Sequence, residues 1–330
     1  MLYSKSGSRI IRQILSQRNE EADMNVGFVG VGTMGSGMAM NVIKGGHHLT
    51  VHDINRDSVI EHLEAGAAWA ESPKEVAEQS EVVLTSLPGP LEMQAVCLGE
   101  QGLLQGLSAG KVYFDLSTNS PSMVRQTAEE FSKKGVHLLD APVSGGPRGA
   151  HSGRLAVWVG GDKEVFEKNK HVLDAIGDQI FYVGPIGAGS VAKLVHNCSG
   201  YIIQCALAET FTMGVKAGVE PLALWEAVRK GAQGRRGTFE GLAEHLLPGK
   251  FDPPDFALKL ARKDVDLAVA VGREFDVPMK LANLALAEMT EAMNRGWEGR
   301  DSRVAMLLQE ERAGVQVRST EEAIKEVLEK

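Results

Sequence analysis

No run of apolar residues in this 330-residue chain approaches the roughly eighteen of a membrane-spanning helix, so a soluble protein is expected. Cysteine is scarce. The three residues Cys97, Cys198 and Cys205 offer neither a paired framework nor metal-ligand spacing, and no metal site is expected. Cys198 and Cys205 lie two helical turns apart in an apolar segment, which predicts packing roles in a reducing, cytoplasmic setting. Basic clusters are missing as well. With a net charge of -8 and no dense Lys/Arg run on the predicted helices, nucleic acid is not an expected partner. Internal repeats and low-complexity tracts are also absent. What is present is a globular balance, 43% hydrophobic and 24% charged, at a length that suits two domains with separate cores.

The first residues differ from the rest. Lys5, Arg9, Arg12 and Arg18 precede any acid, and Glu20, Glu21 and Asp23 follow, without the apolar core of a signal peptide. Residues 1–24 are therefore expected to be a poorly ordered extension, or the product of a start site placed upstream of Met24.

From Asn25 to about Gly187, short β runs alternate with helical stretches. The strand candidates are Val26–Val31, Leu49–Val51, Val82–Ser86, Val112–Asp115 and Val136–Leu139, with Leu155–Val159 and Ile180–Val183 extending the set. Between them lie helical segments such as Gly35–Lys44, Ser58–Ala65, Leu91–Cys97 and Met123–Lys133. Strands separated by helix-length crossovers predict a doubly wound parallel sheet over 25–187. After Gly187 the strands stop. Val191, Leu194, Val195, Cys198, Ile202, Cys205 and Leu207 recur at helical spacing, predicting one long helix over Ser190–Met213. Further helices are predicted at Leu222–Lys230, Phe256–Glu274, Leu281–Met293 and Val304–Arg312. The expected architecture is an α/β domain of Rossmann type over 25–187, an all-helical domain over 188–318, and a C-terminal tail over 319–330.

Directly after the first predicted strand stands Gly30-Val31-Gly32-Thr33-Met34-Gly35, a G-x-G-x-x-G loop that opens a helix. The first glycine permits a tight turn, the second lets a pyrophosphate approach the backbone, and the third allows helix and strand to pack closely. Glycine-rich loops are common, but here an acid ends the next strand. Asp53, eighteen residues beyond Gly35, is placed to accept hydrogen bonds from the adenosine ribose of a dinucleotide. A carboxylate there repels a 2′-phosphate and favours NAD over NADP, with Arg56 as a partial offset. His47, His48 and His52 are expected to be surface or strand-end residues.

Three further clusters bear on chemistry. The stretch Asp140-Ala141-Pro142-Val143-Ser144-Gly145-Gly146 ends a strand and enters a loop that can offer backbone N–H groups and the Ser144 hydroxyl to a carboxylate. A plain glycine-rich turn has the same pattern, and spacing does not separate the two. Gly184-Pro185-Ile186-Gly187-Ala188-Gly189 leads into the long helix, where Gly189, Lys193 and Asn197 share one face. Burial would disfavour the charged form of Lys193 and suit it to acid/base work, whereas a lysine reaching to the surface would be inert. His196 is expected to pack or to hold a neighbour. Lys263-Asp264, taken alone, is an ordinary charged pair on a solvated helix face.

Four separated motifs, Gly30 through Asn41, Asp140 through Gly146, Gly184 through Asn197 and Phe256 through Asp264, resemble in order the β-hydroxyacid dehydrogenase family, of the 3-hydroxyisobutyrate dehydrogenase type. The resemblance implies an oxidoreductase that transfers hydride between NAD(P) and a small 3-hydroxy acid. It implies Lys193 as catalytic acid/base, Asn197 as substrate holder, and Ser144, Gly145 and Gly146 as binders of the substrate carboxylate. It further implies that Gly30, Gly32, Met34, Gly35, Asp53, Leu87, Pro88, Thr118 and Lys263 bind the cofactor. A homodimer or homotetramer is the assembly it suggests, with subunits packing along the long helix. The related 6-phosphogluconate dehydrogenases share a Lys-x-x-His-Asn helix, but carry an acidic glutamate where this chain has Gly200. An oxidative decarboxylase is therefore the alternative enzyme reading, and a non-catalytic dinucleotide-binding module is the alternative of a different class. Arg148 and the segment Gln233-Gly234-Arg235-Arg236 are candidates to meet a second acidic group of the substrate, or are solvated loops.

Overall fold

A computed structural model describes residues 24–216, 218–231, 240–274 and 278–329. The expected extension up to Asp23 and the segment Gln233-Gly234-Arg235-Arg236 lie outside the described residues. Met24, expected in the extension, belongs to the fold: its carbonyl accepts the His48 N–H at 3.0 Å, and its side chain packs against the sheet core. The chain divides into two compact units, one ending at Lys193 and the other starting at Leu194, six residues beyond the boundary expected at 187.

Among the described residues the first unit is built on nine strands: β1 (Asn25–Val29), β2 (His48–His52), β3 (Ala68–Trp69), β4 (Val82–Thr85), β5 (Val112–Asp115), β6 (His137–Asp140), β7 (Val143–Ser144), β8 (Leu155–Gly160) and β9 (Gly177–Gly184). Their order is β3-β2-β1-β4-β5-β6-β8-β7, with β9 pairing β8. From β3 to β6 every pairing is parallel, so the Rossmann-type sheet is as the alternating pattern predicts. The far edge departs from it. β8 runs antiparallel to β6 and β7, and a short connection holding β7 and the seven-residue helix Gly146–Ser152 joins β6 to β8. The two-residue strands β3 and β7 are too short to show a period in sequence. β1 stops at Val29 rather than Val31, because Gly30 turns with φ +91°.

Both faces of the central strands β1, β4 and β5 are covered, which is why these read as apolar. Val26, Phe28, Leu84 and Phe114 enter the core on one face, and Val29, Val83, Tyr113 and Phe131 meet on the other. Helix Gly35–Lys44 approaches helix Gly146–Ser152 closely: a Cβ added to Gly37 would lie 2.8 Å from the Ala150 carbonyl carbon. One turn later, the Asn41 amide donates to the Ala150 carbonyl at 2.7 Å. The predicted helix Ser58–Ala65 is instead a 3-10 turn, Arg56–Val59, capped by Asn55, followed by helix Ile60–Glu64.

The second unit is helical, and its long helix extends from the first unit as Ala188–Lys216. Helices Pro221–Lys230, Glu240–Glu244, Leu258–Glu274, Lys280–Asn294 and Leu307–Ala313 follow. Phe256 lies outside its predicted helix because its N–H is drawn to Asp301 Oδ2. The region predicted as helix Val304–Arg312 opens with a 3-10 turn, Ser302–Met306. The expected tail at 319–330 is corrected. Glu321–Leu328 is a helix capped by Thr320, and Ile324 and Val327 are buried in the unit's core with Trp225, Leu247, Phe251 and Val265. Its few apolar residues at helical spacing were hidden in a strongly charged segment. Cys198 belongs to the same core and Cys205 packs against it, as the apolar spacing predicts. Among the described residues, no helix is long and apolar enough to cross a membrane.

Candidate active site

The strand order reverses between β1 and β4, and a parallel sheet opens a crevice at the carboxyl ends of its strands at such a point. The three motif glycines have distinct surroundings there. A Cβ at Gly30 would lie 2.4 Å from the Ser86 carbonyl oxygen, and one at Gly35 would lie 1.9 Å from the Gly30 carbonyl oxygen. A Cβ at Gly32 would meet nothing within 4 Å, so the second glycine faces open space where a phosphate can approach the backbone. Met34 caps helix Gly35–Lys44 and is half-buried. These features fit a dinucleotide.

Asp53 follows the carboxyl end of β2 and is half-buried. Its Oδ2 accepts the Val31 N–H and its Oδ1 the Asn55 N–H, both at 2.8 Å. A carboxylate has about four lone-pair sites, so ribose hydroxyls still find acceptors there. The Arg56 guanidinium lies 5.2 Å from the centroid of the Trp69 ring. Of the three histidines, His52 ends its strand with Nδ1 at 3.0 Å from the Ala70 carbonyl, and His48 is exposed. His47 stands directly before β2 but is buried rather than at the surface, with its ring centroid 5.9 Å from that of His171 and tilted by 48°.

Leu87 and Pro88 follow β4, and Thr118 follows β5; Leu87 and Thr118 are half-buried and Pro88 is exposed. The two loops are tied, since the Leu87 N–H donates to Ser117 Oγ at 2.9 Å. Beyond β6, Ser144 is half-buried, while Gly145 at φ +140° and Gly146 at φ +62° are exposed. Five neighbouring parallel strands, β2, β1, β4, β5 and β6, thus lead at their carboxyl ends into the residues named for cofactor and carboxylate, Lys263 apart. Arg148 is exposed on the helix that Gly146 opens.

Asp140 has a function that its place in the Gly-rich motif did not reveal. It is fully buried, its Oδ1 accepts the Gly187 N–H at 2.7 Å, and its Oδ2 accepts the Ser190 N–H at 2.6 Å. These N–H groups open the long helix, so a negative charge sits at its positive end. Burial pushes the Asp140 carboxyl above its ordinary value, and the two N–H bonds pull against that rise. A Cβ on Gly189 would lie 2.2 Å from the Trp158 carbonyl oxygen, so only glycine lets the helix start this close to β8. Lys193 follows one turn on and is half-buried.

Asn197, a further turn along, is also half-buried. Its amide Nδ2 donates to Asp264 Oδ2, and its Oδ1 lies 3.0 Å from His196 Nδ1. His196 thus holds a neighbour, as expected. Asp264 corrects the reading of a solvated pair: it is 1% exposed, with its Oδ1 3.0 Å from Lys263 Nζ. It lies on the stripe of Leu258, Ala261, Val265 and Ala268, the buried face of its helix. That stripe was the available signal, since an acid on an apolar face requires a partner. Lys263 is 26% exposed and paired to Asp264 in this way.

A family profile described as the NAD binding domain of 6-phosphogluconate dehydrogenase matches residues 25–184. A second, described as NAD-binding of NADP-dependent 3-hydroxyisobutyrate dehydrogenase, matches residues 187–325. The chain is 35% identical to 2-(hydroxymethyl)glutarate dehydrogenase of Eubacterium barkeri, over 90% of this chain and 98% of the relative. It is also 35% identical to 3-hydroxyisobutyrate dehydrogenase of Pseudomonas aeruginosa, over 79% of this chain and 89% of the relative. The crystal structure of 3-hydroxyisobutyrate dehydrogenase from Salmonella typhimurium superposes with a TM-score of 0.76 at 27% identity, covering 86% of this chain and 99% of that one.

Proposed function

Because the chain belongs to the β-hydroxyacid dehydrogenase family, of the 3-hydroxyisobutyrate dehydrogenase type, we propose that it oxidises a small 3-hydroxy acid with Lys193 as general acid/base. At the coarser level it is an NAD(P)-dependent oxidoreductase acting on small hydroxy-acid-like substrates. The observation that carries the finer reading is the placement of Lys193. It stands on a helix whose start is held by Asp140, four residues before an Asn197 whose amide is held by Asp264.

The bound nicotinamide supplies the hydride acceptor, or in the reverse direction the donor. The protein supplies the rest. Ser144 Oγ and the backbone N–H groups of Gly145 and Gly146 hold the substrate carboxylate, and Asn197 orients the hydroxyl. The Lys193 amine takes the hydroxyl proton in oxidation and returns a proton to the alkoxide oxygen in reduction. Lys263 is a further side chain assigned to the cofactor. NAD is preferred over NADP, because the Asp53 carboxylate repels a 2′-phosphate. An oxidative decarboxylase is disfavoured by Gly200, which offers no acid to protonate the product. The working assembly is a homodimer or homotetramer.

The test is a panel of 3-hydroxyisobutyrate, 3-hydroxypropanoate and 2-(hydroxymethyl)glutarate, each with NAD and NADP. The dicarboxylate tests whether exposed Arg148 meets a second acid. Lys193→Ala is expected to lower kcat by about a hundredfold or more, with the Kd for NADH kept within about twofold. Turnover by Lys193→Ala at the original rate would sink the mechanism, and no turnover of any panel member would leave a dinucleotide-binding module.

A further inference from the structure

Beneath the crevice lies a buried polar chain that the proposed chemistry does not use. Thr85 and Asp115 are register partners at the carboxyl ends of β4 and β5. Asp115 Oδ1 accepts the Thr85 hydroxyl at 2.9 Å and the Ser117 N–H at 3.1 Å. Its Oδ2 accepts the Asn119 amide Nδ2 at 2.6 Å. With its proton committed to Asp115, Thr85 Oγ1 accepts from the Tyr113 hydroxyl at 2.9 Å. The Cys97 thiol donates in turn to the Tyr113 oxygen at 3.4 Å. Every proton in the chain points toward the one carboxylate. Cys97, Tyr113, Thr85, Asp115 and Asn119 are all 0% exposed.

We infer that Asp115 is a positioning residue for the dinucleotide, clamping the loops 86–88 and 117–119 at the mouth of the crevice. The inference rests on the reading of that crevice as the cofactor site. A buried carboxylate with no cation beside it among the described residues is an expensive way to fill a core, and an apolar or amide side chain would serve packing at less cost. What the carboxylate alone does here is accept three donors from two segments at once. The Ser117 N–H and the Asn119 amide anchor their loop on both sides of Thr118, and Ser117 Oγ in turn fixes the Leu87 N–H. Leu87, Pro88 and Thr118, the residues assigned to the cofactor path on these loops, are therefore held by one group. Asn119 is also locked in orientation. Its Oδ1 is buried without a partner in the structure, and flipping the amide would set that oxygen against Asp115.

The full-length protein, Asp115→Asn, the swap Asp115→Asn/Asn119→Asp and Ser117→Ala are titrated with NADH and NADPH by fluorescence, with the ligand-free melting temperature recorded for each. In Asp115→Asn either two amide N–H groups face each other, or Asn119 turns over and buries its NH2 in the place of an unpartnered oxygen; a donor is lost either way, and NADH binding is expected to weaken by about tenfold or more. The swap restores one donor against one acceptor in reverse and is expected to return to within about threefold of the parent. A folded Asp115→Asn with a lower melting temperature but an unchanged Kd overturns the inference, because it shows a role in stability alone. A folded swap that fails to recover binding overturns it too. If Asp115→Asn does not fold, Ser117→Ala decides, since it removes the hydroxyl that links the Leu87 N–H to the carboxylate and leaves Asp115 and Asn119 in place: weaker binding supports the clamp and unchanged binding overturns it. A parent protein that binds neither NADH nor NADPH would instead remove the cofactor reading itself, and the inference with it.

Discussion

The Asp140 carboxylate holds the start of the long helix at an electrostatic cost. Desolvation raises its pKa in the folded state above the unfolded value of 3.8, so the folded protein binds that proton more tightly. Stability contributed by the protonated form is therefore lost as pH rises from 3.8 through the raised value, with a slope of at most about 1.4 kcal/mol per pH unit. Asp140→Asn has no proton to lose. The unfolding free energy of the parent minus that of the variant should fall as pH rises across this window, measured by urea unfolding at successive pH values. A constant difference would show that Asp140 titrates alike in both states. Asp140 and Asp264 share a lesson about legibility. Lys193 and Asn197 could be picked out because helical spacing is local, whereas their supports, 53 and 67 residues away respectively, have no fixed spacing to detect.

At the level of elements, glycine usually weakens a helix, and its replacement by alanine gains about 1 kcal/mol at an exposed position. Gly37 should show the opposite sign. It sits inside helix Gly35–Lys44, and its missing Cβ lets the backbone of Ala150 and His151 come close. Gly37→Ala is expected to destabilise by about 1–3 kcal/mol despite the better helix former, seen as a lower melting temperature. A rise in melting temperature would mean that the two helices separate at little cost. The same contact links the helix that opens at the cofactor loop to the helix that opens at Gly146. The G-x-G-x-x-G pattern located the first helix because its glycines obey a local rule. It was silent on the second helix, which is only seven residues long, and on the antiparallel return of β8.

On the scale of the whole molecule, each unit has a core of its own, and the helical unit also leaves large apolar side chains exposed. Val195 is 61% exposed and Ile203 42% on the long helix, and Leu281 is 61% exposed on helix Lys280–Asn294. Exposed apolar surface of this kind suits a subunit interface. Sedimentation equilibrium at micromolar concentration is expected to give a dimer or tetramer mass, and a monomer mass would count against the proposed assembly. The sequence by itself determined the parallel α/β unit, the change to helices near residue 187, the glycine loop with its acid, and the face that carries Lys193 and Asn197. All of these follow from periodicities and spacings within a few turns or one strand-to-strand step. Only the tertiary structure decided what holds those groups in place: Asp140 on the helix start, Asp264 on Asn197, Asp115 across two strand ends, and the last helix folded into the core. A buried carboxylate is stable only where donors converge on it in space, and that convergence exists only once distant segments have packed.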